Sequence, residues 1–464
     1  MNVTSALESD LARFYRGRRV VLLGHPLSAY GRQSAALLRT GAHAPFVVAG
    51  GTGPGQPPDG IAGHHLVPLE PADAELRAEE LSRLAAAPPP ALRAVLDGYD
   101  PDRTAVAVAE TALAPDRIAG RPILDSGARW GEVFADHGAV DSLWARLGAT
   151  RLPSVVVPAD GEALERAHSK LDLGQGTVVF AAPQRPVLRA GGPVHRLHES
   201  RDAGPAARRL APLGSRVRVV PYVRGVPCGI GGFVLPEGPV VLRPHEEIVL
   251  EHRGELSSGG CSGFYEPAQA ERAELTGLAQ AVGHELHRSF GYRGAFQLSG
   301  LLVGGSFLPW SLGLRLGAGH ALLEGAWPDL STALLHAALR AEPALRIAPD
   351  TVRALSEGGS AGNAIIMFDT PQPPWPQGSP RTASRTLWLT REEAVVRPAG
   401  QQDRSNGCLV HTRVADAGKL LLVAGPTFAA AGRSTDRLLG PAVAQSCQLA
   451  GSQWGMALEL ASAW

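Results

Sequence analysis

Lysine is almost missing from this chain: Lys170 and Lys419 are the only two among 44 basic residues. Phosphate contacts would therefore be mostly arginine contacts, made by a planar fork rather than a point charge. Cysteine is scarce as well. Cys228, Cys261, Cys408 and Cys447 are too few and too scattered for a disulfide framework, and no CxxC pair suggests zinc, which fits a reducing cytoplasm. An excess of one charge is also absent, because 44 acidic residues cancel the 44 basic ones. No overall field gathers nucleic acid or an anionic membrane. Long apolar runs are lacking, and MNVTSALESD has no basic region followed by an apolar stretch, so neither a membrane span nor a targeting segment is expected.

What remains is a folded composition: 464 residues, 44% of them hydrophobic, enough for about three domains. Residues 18–24 (RRVVLLG) read as a buried strand, 31–41 (GRQSAALLRTG) carry helical spacing, and 44–50 (APFVVAG) read as a second strand, a βαβ opening. Helical patterns at 72–87 and 90–98, a strand at 104–109 and helices through 130–147 extend it to a doubly wound α/β domain over residues 1–140. From about 152 to 323 strands dominate (SVVVP, GTVVF, RVRVVPYV, GGFVLP, PVVLRP). A long helix at 269–289 and a hairpin of 290–300 with 307–320 complete an α+β block. The remainder predicts helices at 331–341 and 349–357, a strand AIIMF, an extended proline-rich loop TPQPPWPQGSPRTAS, strands at 407–414 and 419–424, and a last helix at 441–463.

Three short patterns carry little chemistry. GGTGPG at 50–55 lacks the GxGxxG spacing and reads as a surface turn, and HELH at 284–287 has its histidines three apart where a zinc protease needs four. GGCSG at 259–263 fits a nucleophile elbow around Cys261, but a loop is expected on both sides, so a buried thiol in a turn is the first reading and a Cys261-dependent hydrolase or acyl transferase an alternative.

Taken together, GQGTVVF, RVRVVPYVRGVPCGIGGFVLPEG, VVLRPHEEIVL, GYRGAFQLSG and FLPWSLGLRLGAGH resemble ATP-grasp ligases. The branch is similar to peptide ligases of the pheganomycin type, with the patterns GxGTVW, VRVxPFxxGxPCSIHG, LRPxE, GYRGAFTVDG and FxPTELNPRFGAG. DAGKLLLVAG and GPAVAQSCQLAGSQWG resemble that branch's C-terminal segment. The resemblance implies a pre-ATP-grasp α/β domain over 1–140, two ATP-grasp-like lobes over 141–330, and a segment over 331–464 that completes the fold. It implies a nucleotide between the lobes, with adenine at the hinge of Pro221, Tyr222 and Val223 and Lys170 as the lobe's one lysine. Phosphates and magnesium would lie at the hairpin, for acyl-phosphate formation and attack by an amine.

The departures fall on that site. The aspartate of VDG is Ser299, the glutamate and asparagine of TELNPR are Ser311 and Gly313, and only the arginine survives, as Arg315. The serine and histidine of PCSIHG are Gly229 and Gly231, and the tryptophan of GTVW is Val179. Magnesium prefers carboxylates with substrate phosphates, so no metal ligand and no cofactor is expected. ATP and magnesium enter only under the alternative of an active carboxylate–amine ligase with substitute acids such as Glu246 or Glu247. Arg315, Arg243, Glu246 and Arg293 are the candidates for binding a substrate or anion. Arg243 with Glu246 reads equally as an ion pair fixing a strand, Arg315 as the cap of a turn, and Lys170 first as a solvated helix end. Two classes stay open: a re-used catalyst acting on a small peptide or amino-acid substrate, or a ligase-like binding partner of an active ATP-grasp homologue. A homo-oligomer is expected, without nucleic acid or membrane.

Overall fold

The structure, a computed structural model, describes residues 3–24, 26–52, 56–67, 74–109, 115–124, 134, 137–181, 194–252, 254–263 and 265–359, together with six later strands. The proline-rich stretch, Gly53 to Gly55 of the glycine turn and most of the last predicted helix lie outside the described residues.

The first described element is a helix outside the predicted ones, α1 (Val3–Tyr15), whose Leu7, Leu11, Phe14 and Tyr15 are buried. β1 (Val20–Leu23), α2 (Gly31–Arg39), β2 (Phe46–Ala49), β3 (Gly63–Leu66), α3 (Ala74–Ala86), α4 (Pro90–Tyr99) and β4 (Val106–Ala109) follow. The four strands form a parallel sheet in the order β3-β2-β1-β4. Parallel sheets are covered on both faces, which explains the unbroken apolar runs of β1, β2 and β4. Val21, Leu23 and Val48 face Leu81, Leu92 and Leu96 of α3 and α4, whereas Val20, Leu22 and Val47 face α1 and α2. A short ribbon, β5 (Arg117–Ile118) with β6 (Arg121–Pro122), and α5 (His137–Arg146) lead out of this region.

The small lobe consists of β7 (Val155–Pro158), α6 (Gly161–Leu171), β8 (Thr177–Ala181), β9 (Val194–Leu197), α7 (Ala203–Leu210) and β10 (Arg216–Pro221). The two helices cover one face of its sheet through Leu164, Ala167 and Leu210 against Val179, Val217 and Val219. On the other face Val178, Phe180 and Val220 pack against Leu256, Leu301 and Leu308 of the large lobe.

The large lobe comprises β11 (Val226–Leu235), β12 (Gly238–Val241), β13 (His245–His252), β14 (Glu255–Ser262), α8 (Gln269–Phe290), β15 (Gly294–Val303), β16 (Ser306–Gly313) and α9 (Ala318–Ala326). Its strands run β16-β15-β11-β13-β14, all antiparallel. α8 supports one face, burying Leu275, Ala279, Val282 and Leu286 against Ile230, Phe296 and Leu298. The helix ends at Gly291, whose φ of 58° gives the left-handed turn that stops it. The two lobes are stitched together where β9 pairs with β14, His195 opposite Glu255 and Val194 opposite Leu256.

Two expectations fail here. The predicted loop before Cys261 is strand β14: ELSSGGCS is poor in strand-forming residues, yet β13 and β17 (Ala364–Asp369) hydrogen-bond it from both sides. Within the predicted last helix, Glu459 and Leu460 form a strand against Leu250 and Glu251, covering the end of β13 that extends past β11. The helices α10 (Thr332–Ala341) and α11 (Pro349–Gly359) match their predicted positions and join the core that α1 enters, with the Tyr15 hydroxyl donating to the Leu334 carbonyl at 2.8 Å. β18 (Thr386–Glu392), β19 (Val395–Pro398), β20 (Leu409–Val414) and β21 (Lys419–Ala424) extend the large sheet beyond β17.

Candidate functional site

Successive strand residues point to opposite faces, so the pairing registers decide what meets across the large sheet. Ser311 lies opposite Ser299, Ser299 opposite Gly229, and Gly229 opposite His245. In neighbouring rows Gly313 faces Gln297, Gln297 faces Gly231, and Glu247 faces Cys261. All of these share the face turned away from α8, and α9 closes over part of it, with Cys261 Sγ 3.8 Å from the Ala318 carbonyl. The bulge between Ser299 and Gly300 fixes the register. A Cβ on Gly300 would stand 2.5 Å from the Phe307 ring, so only glycine fits there.

The polar side chains on this face form one cluster. Ser299 donates to Glu247 Oε1 at 2.5 Å. The Gln297 amide donates to the Leu298 carbonyl at 2.9 Å and approaches His245 Nε2 at 3.3 Å. That nitrogen accepts, so the His245 ring proton sits on Nδ1. His320 accepts from the Gly317 N–H at Nδ1 and donates from Nε2 to the Gly232 carbonyl, at 3.0 and 3.1 Å. Burial holds both histidines neutral, pushing His245 down to about 3, with the neighbouring His320 adding to the effect, and His320 down to about 4. Glu247 is partly exposed, but its carboxyl is sunk among these groups and burial raises it to about 7 against the opposing Ser299 hydrogen bond. His245 Nδ1, Gln297 Oε1 and Ser311 Oγ are buried without a hydrogen-bond partner among the described residues.

This donor set does not suit magnesium with nucleotide phosphates. Of the three positions where the family pattern has ligands, Ser299 is engaged with Glu247, Ser311 is a neutral hydroxyl, and Gly313 has no side chain. The remaining carboxyl, Glu247, is partly protonated near neutral pH, where a hard cation needs full carboxylates. Glu246 cannot join it, because it lies on the opposite face beside Cys228. Among the described residues no group of three or more His, Cys, Asp or Glu side chains is arranged to hold a metal ion.

The other candidates are scattered. Lys170 is exposed on α6, on the face of the small-lobe sheet away from the large lobe. At the hinge, Pro221 ends β10, the Tyr222 N–H already donates to the Gly176 carbonyl at 2.9 Å, and Val223 packs at the edge of the cluster between the lobes. The Tyr222 ring lies 3.5 Å beneath the Arg196 guanidinium, a cation–π contact that the sequence does not announce. Arg243 pairs with Glu266, which also takes Arg272, and Arg293 donates to the Pro343 carbonyl. Arg315 is half-buried in the bend between β16 and α9, next in the chain to the cluster. Cys261 is buried within a strand, which leaves no elbow to present its thiol. His284 and His287 lie on α8, the amphipathic helix expected of HELH.

No protein-family model and no curated protein sequence matches this chain. Solved structures do resemble it. A biotin carboxylase from Campylobacter jejuni, in complex with β-γ-ATP, superposes with a TM-score of 0.54 at 11% identity over 88% of this chain and 87% of that one. N5-carboxyaminoimidazole synthase from Aspergillus clavatus, in complex with ADP and 5-aminoimidazole ribonucleotide, gives 0.50 at 12% identity over 92% and 98%. An L-amino acid ligase from Bacillus licheniformis gives 0.48 at 10% identity over 96% and 98%. Sequence identities this low speak to architecture alone. With a parallel N-terminal sheet followed by two antiparallel lobes, this chain has the ATP-grasp fold.

Proposed function

We propose that this chain is an ATP-grasp-fold protein of a peptide natural-product pathway, similar to amide-forming ligases of the pheganomycin type, that takes a small peptide or amino-acid carboxylate into its cleft and works without ATP hydrolysis. The observation that carries this reading is the cluster of His245, Glu247, Gln297, Ser299 and His320 beside the hairpin: neutral side chains and one partly protonated carboxyl, where a ligase would gather acids around magnesium. The structural neighbours hold ATP or ADP, but they need not share this chain's chemistry, since function resides in the site rather than the fold. With the family's acids replaced, Arg315 is the cation that meets an anionic ligand, and the buried, unpartnered hydroxyl of Ser311 offers it a hydrogen bond.

Within this reading a re-used catalyst is favoured by Glu247. A partly exposed carboxyl on the cleft face that titrates near neutral pH is suited to moving a proton to or from a bound amine or carbonyl.

Calorimetric titration with short peptides tests the proposal. Arg315→Ala is expected to weaken binding of the peptide that the wild type takes up by about 1–3 kcal/mol, the size of a charge-assisted hydrogen bond. Equal affinity of both proteins would reduce Arg315 to the cap of its turn and remove this ligand assignment.

A further inference from the structure

Measured against the ligase patterns that this sequence resembles, the side chains on two neighbouring strands differ in size in opposite directions. Where the ligase pattern GYRGAFTVDG has threonine, this chain has Gln297; where PCSIHG has serine and histidine, it has Gly229 and Gly231. The register sets Gly231 directly opposite Gln297 and Gly229 in the adjoining row. A Cβ on Gly229 would stand 2.6 Å from Gln297 Nε2 and 2.8 Å from both His245 Nε2 and Glu247 Oε1. One on Gly231 would stand 2.9 Å from Gln297 Oε1 and 3.0 Å from His320 Cε1. Neither glycine has a positive φ, so the backbone at both sites accepts any residue. The space, not the conformation, requires glycine there.

α9 closes the slot from above. A Cβ on Gly317 would meet Gln297 Cγ at 2.7 Å, and one on Gly319 would stand 3.6 Å from Gln297 Oε1. The Gln297 amide therefore fills a glycine-walled slot opposite Gly313 and one row from Ser299, beside the positions where the family pattern has its metal ligands.

We infer that Gln297 is the specificity-determining residue that closes this cleft to nucleotide phosphates and their metal, with Gly229 and Gly231 as the space made for its amide. The inference rests on the ATP-independent reading above and adds a separate cause. Replacing the acids removes the attraction for a metal–phosphate group, whereas Gln297 removes the room for it. Interiors packed near crystal density do not hold both an amide and a phosphate in one slot.

Two measurements on the full chain test it. Gly229→Ala is expected to lower the melting temperature by several degrees, because its Cβ meets the amide as well as His245 and Glu247, and to cost less in a Gln297→Thr background, which relieves the closest of the three contacts. If the single variant fails to fold, rescue by Gln297→Thr is the same result read differently; an equal cost in both backgrounds overturns the inference. The second measurement installs Ser299→Asp, Ser311→Glu and Gly313→Asn either with Gln297 kept or together with Gln297→Thr, Gly229→Ser and Gly231→His. Titration with magnesium–ADP is expected to show binding at least about tenfold tighter when threonine replaces Gln297. Equal affinity, or no binding by either, overturns the role of Gln297. Magnesium-dependent nucleotide binding by the wild type would instead overturn the reading on which the inference rests, so the two failures are distinct.

Discussion

Acidifying this protein from about pH 6.5 to about pH 4 is expected to remove several kcal/mol of its stability, at a rate that steepens below about pH 4.5. His245 and His320 are buried neutral, and their folded values of about 3 and about 4 lie below the ordinary 6.5. Above pH 6.5 neither histidine distinguishes the folded from the unfolded chain. Below it the unfolded chain takes up a proton at each while the folded chain does not, so stability falls by about 1.4 kcal/mol per pH unit for each histidine. Glu247 works in the opposite direction. Its folded value of about 7 exceeds the ordinary 4.5, so between these limits the folded chain binds more proton and gains stability on acidification. Because that side chain is partly exposed, the gain offsets only part of the loss. Once Glu247 is protonated in both states the opposition ends and the fall steepens. Asp97, held below the usual carboxylate range by hydrogen bonds from Arg103 and Arg121, adds its own loss only below its ordinary 3.8. Urea unfolding across this pH range measures the profile. Glu247→Gln should steepen the upper part of it, and a profile flat down to pH 4 would contradict the neutral, buried histidines.

Replacing Arg121 by alanine is expected to cost about 3–5 kcal/mol, the penalty for leaving a buried charge without its partner. Arg121 is 0% exposed, as is Asp100 beneath it. Its Nε donates to Asp100 Oδ2 at 2.8 Å, Nη1 to the Ala119 carbonyl at 3.0 Å, and Nη2 to the Leu96 carbonyl at 2.8 Å and to Asp97 Oδ1 at 3.1 Å. One guanidinium thus ties the C-terminal end of α4 to the β5–β6 ribbon, including Ala119, which carries a left-handed φ of 47°. Burial alone would raise the Asp100 carboxyl, but hydrogen bonds from the Ala105 N–H, Arg121 and the Thr104 N–H more than compensate. Removing Arg121 leaves that carboxylate buried with only the Thr104 and Ala105 N–H groups and the Thr104 hydroxyl as donors, whereas Arg121→Leu with Asp100→Leu removes both charges and should cost less. Denaturant unfolding separates the cases. A single variant within about 1 kcal/mol of wild type would mean that water reaches Asp100.

Much of the fold was legible because its signals are local. RVVLLG, APFVVAG and the strand at 104–109 are apolar runs that suit a sheet covered on both faces, and each became a strand of the parallel sheet. β14 was not legible, since its pairing with β13 and β17 is non-local and ELSSGGCS has little intrinsic preference for a strand. α1 did leave a signal in the spacing of Leu7, Leu11, Phe14 and Tyr15, although a short helix at a chain end depends on the core it joins.

The site divides in the same way. Ser299, Ser311 and Gly313 could be placed from the motif, and the register brings them into adjoining rows. His245, Gln297 and His320 carry no sequence signal of a shared site, because nothing in the sequence says that positions so far apart converge. The available clue was size: glutamine in place of threonine on one strand and glycines in place of serine and histidine on the next. Arg243 and Arg293 stand in the motifs LRPH and GYRGAF, and in the structure they meet Glu266 and the Pro343 carbonyl.

Isothermal titration of the wild-type chain with magnesium–ADP tests the proposed lack of magnesium–nucleotide uptake. The neutral cluster around Gln297 predicts no saturable heat up to ligand concentrations of about 1 mM, corresponding to binding weaker than about 4 kcal/mol. A saturable isotherm with a micromolar dissociation constant, lost when the magnesium is chelated, would contradict it.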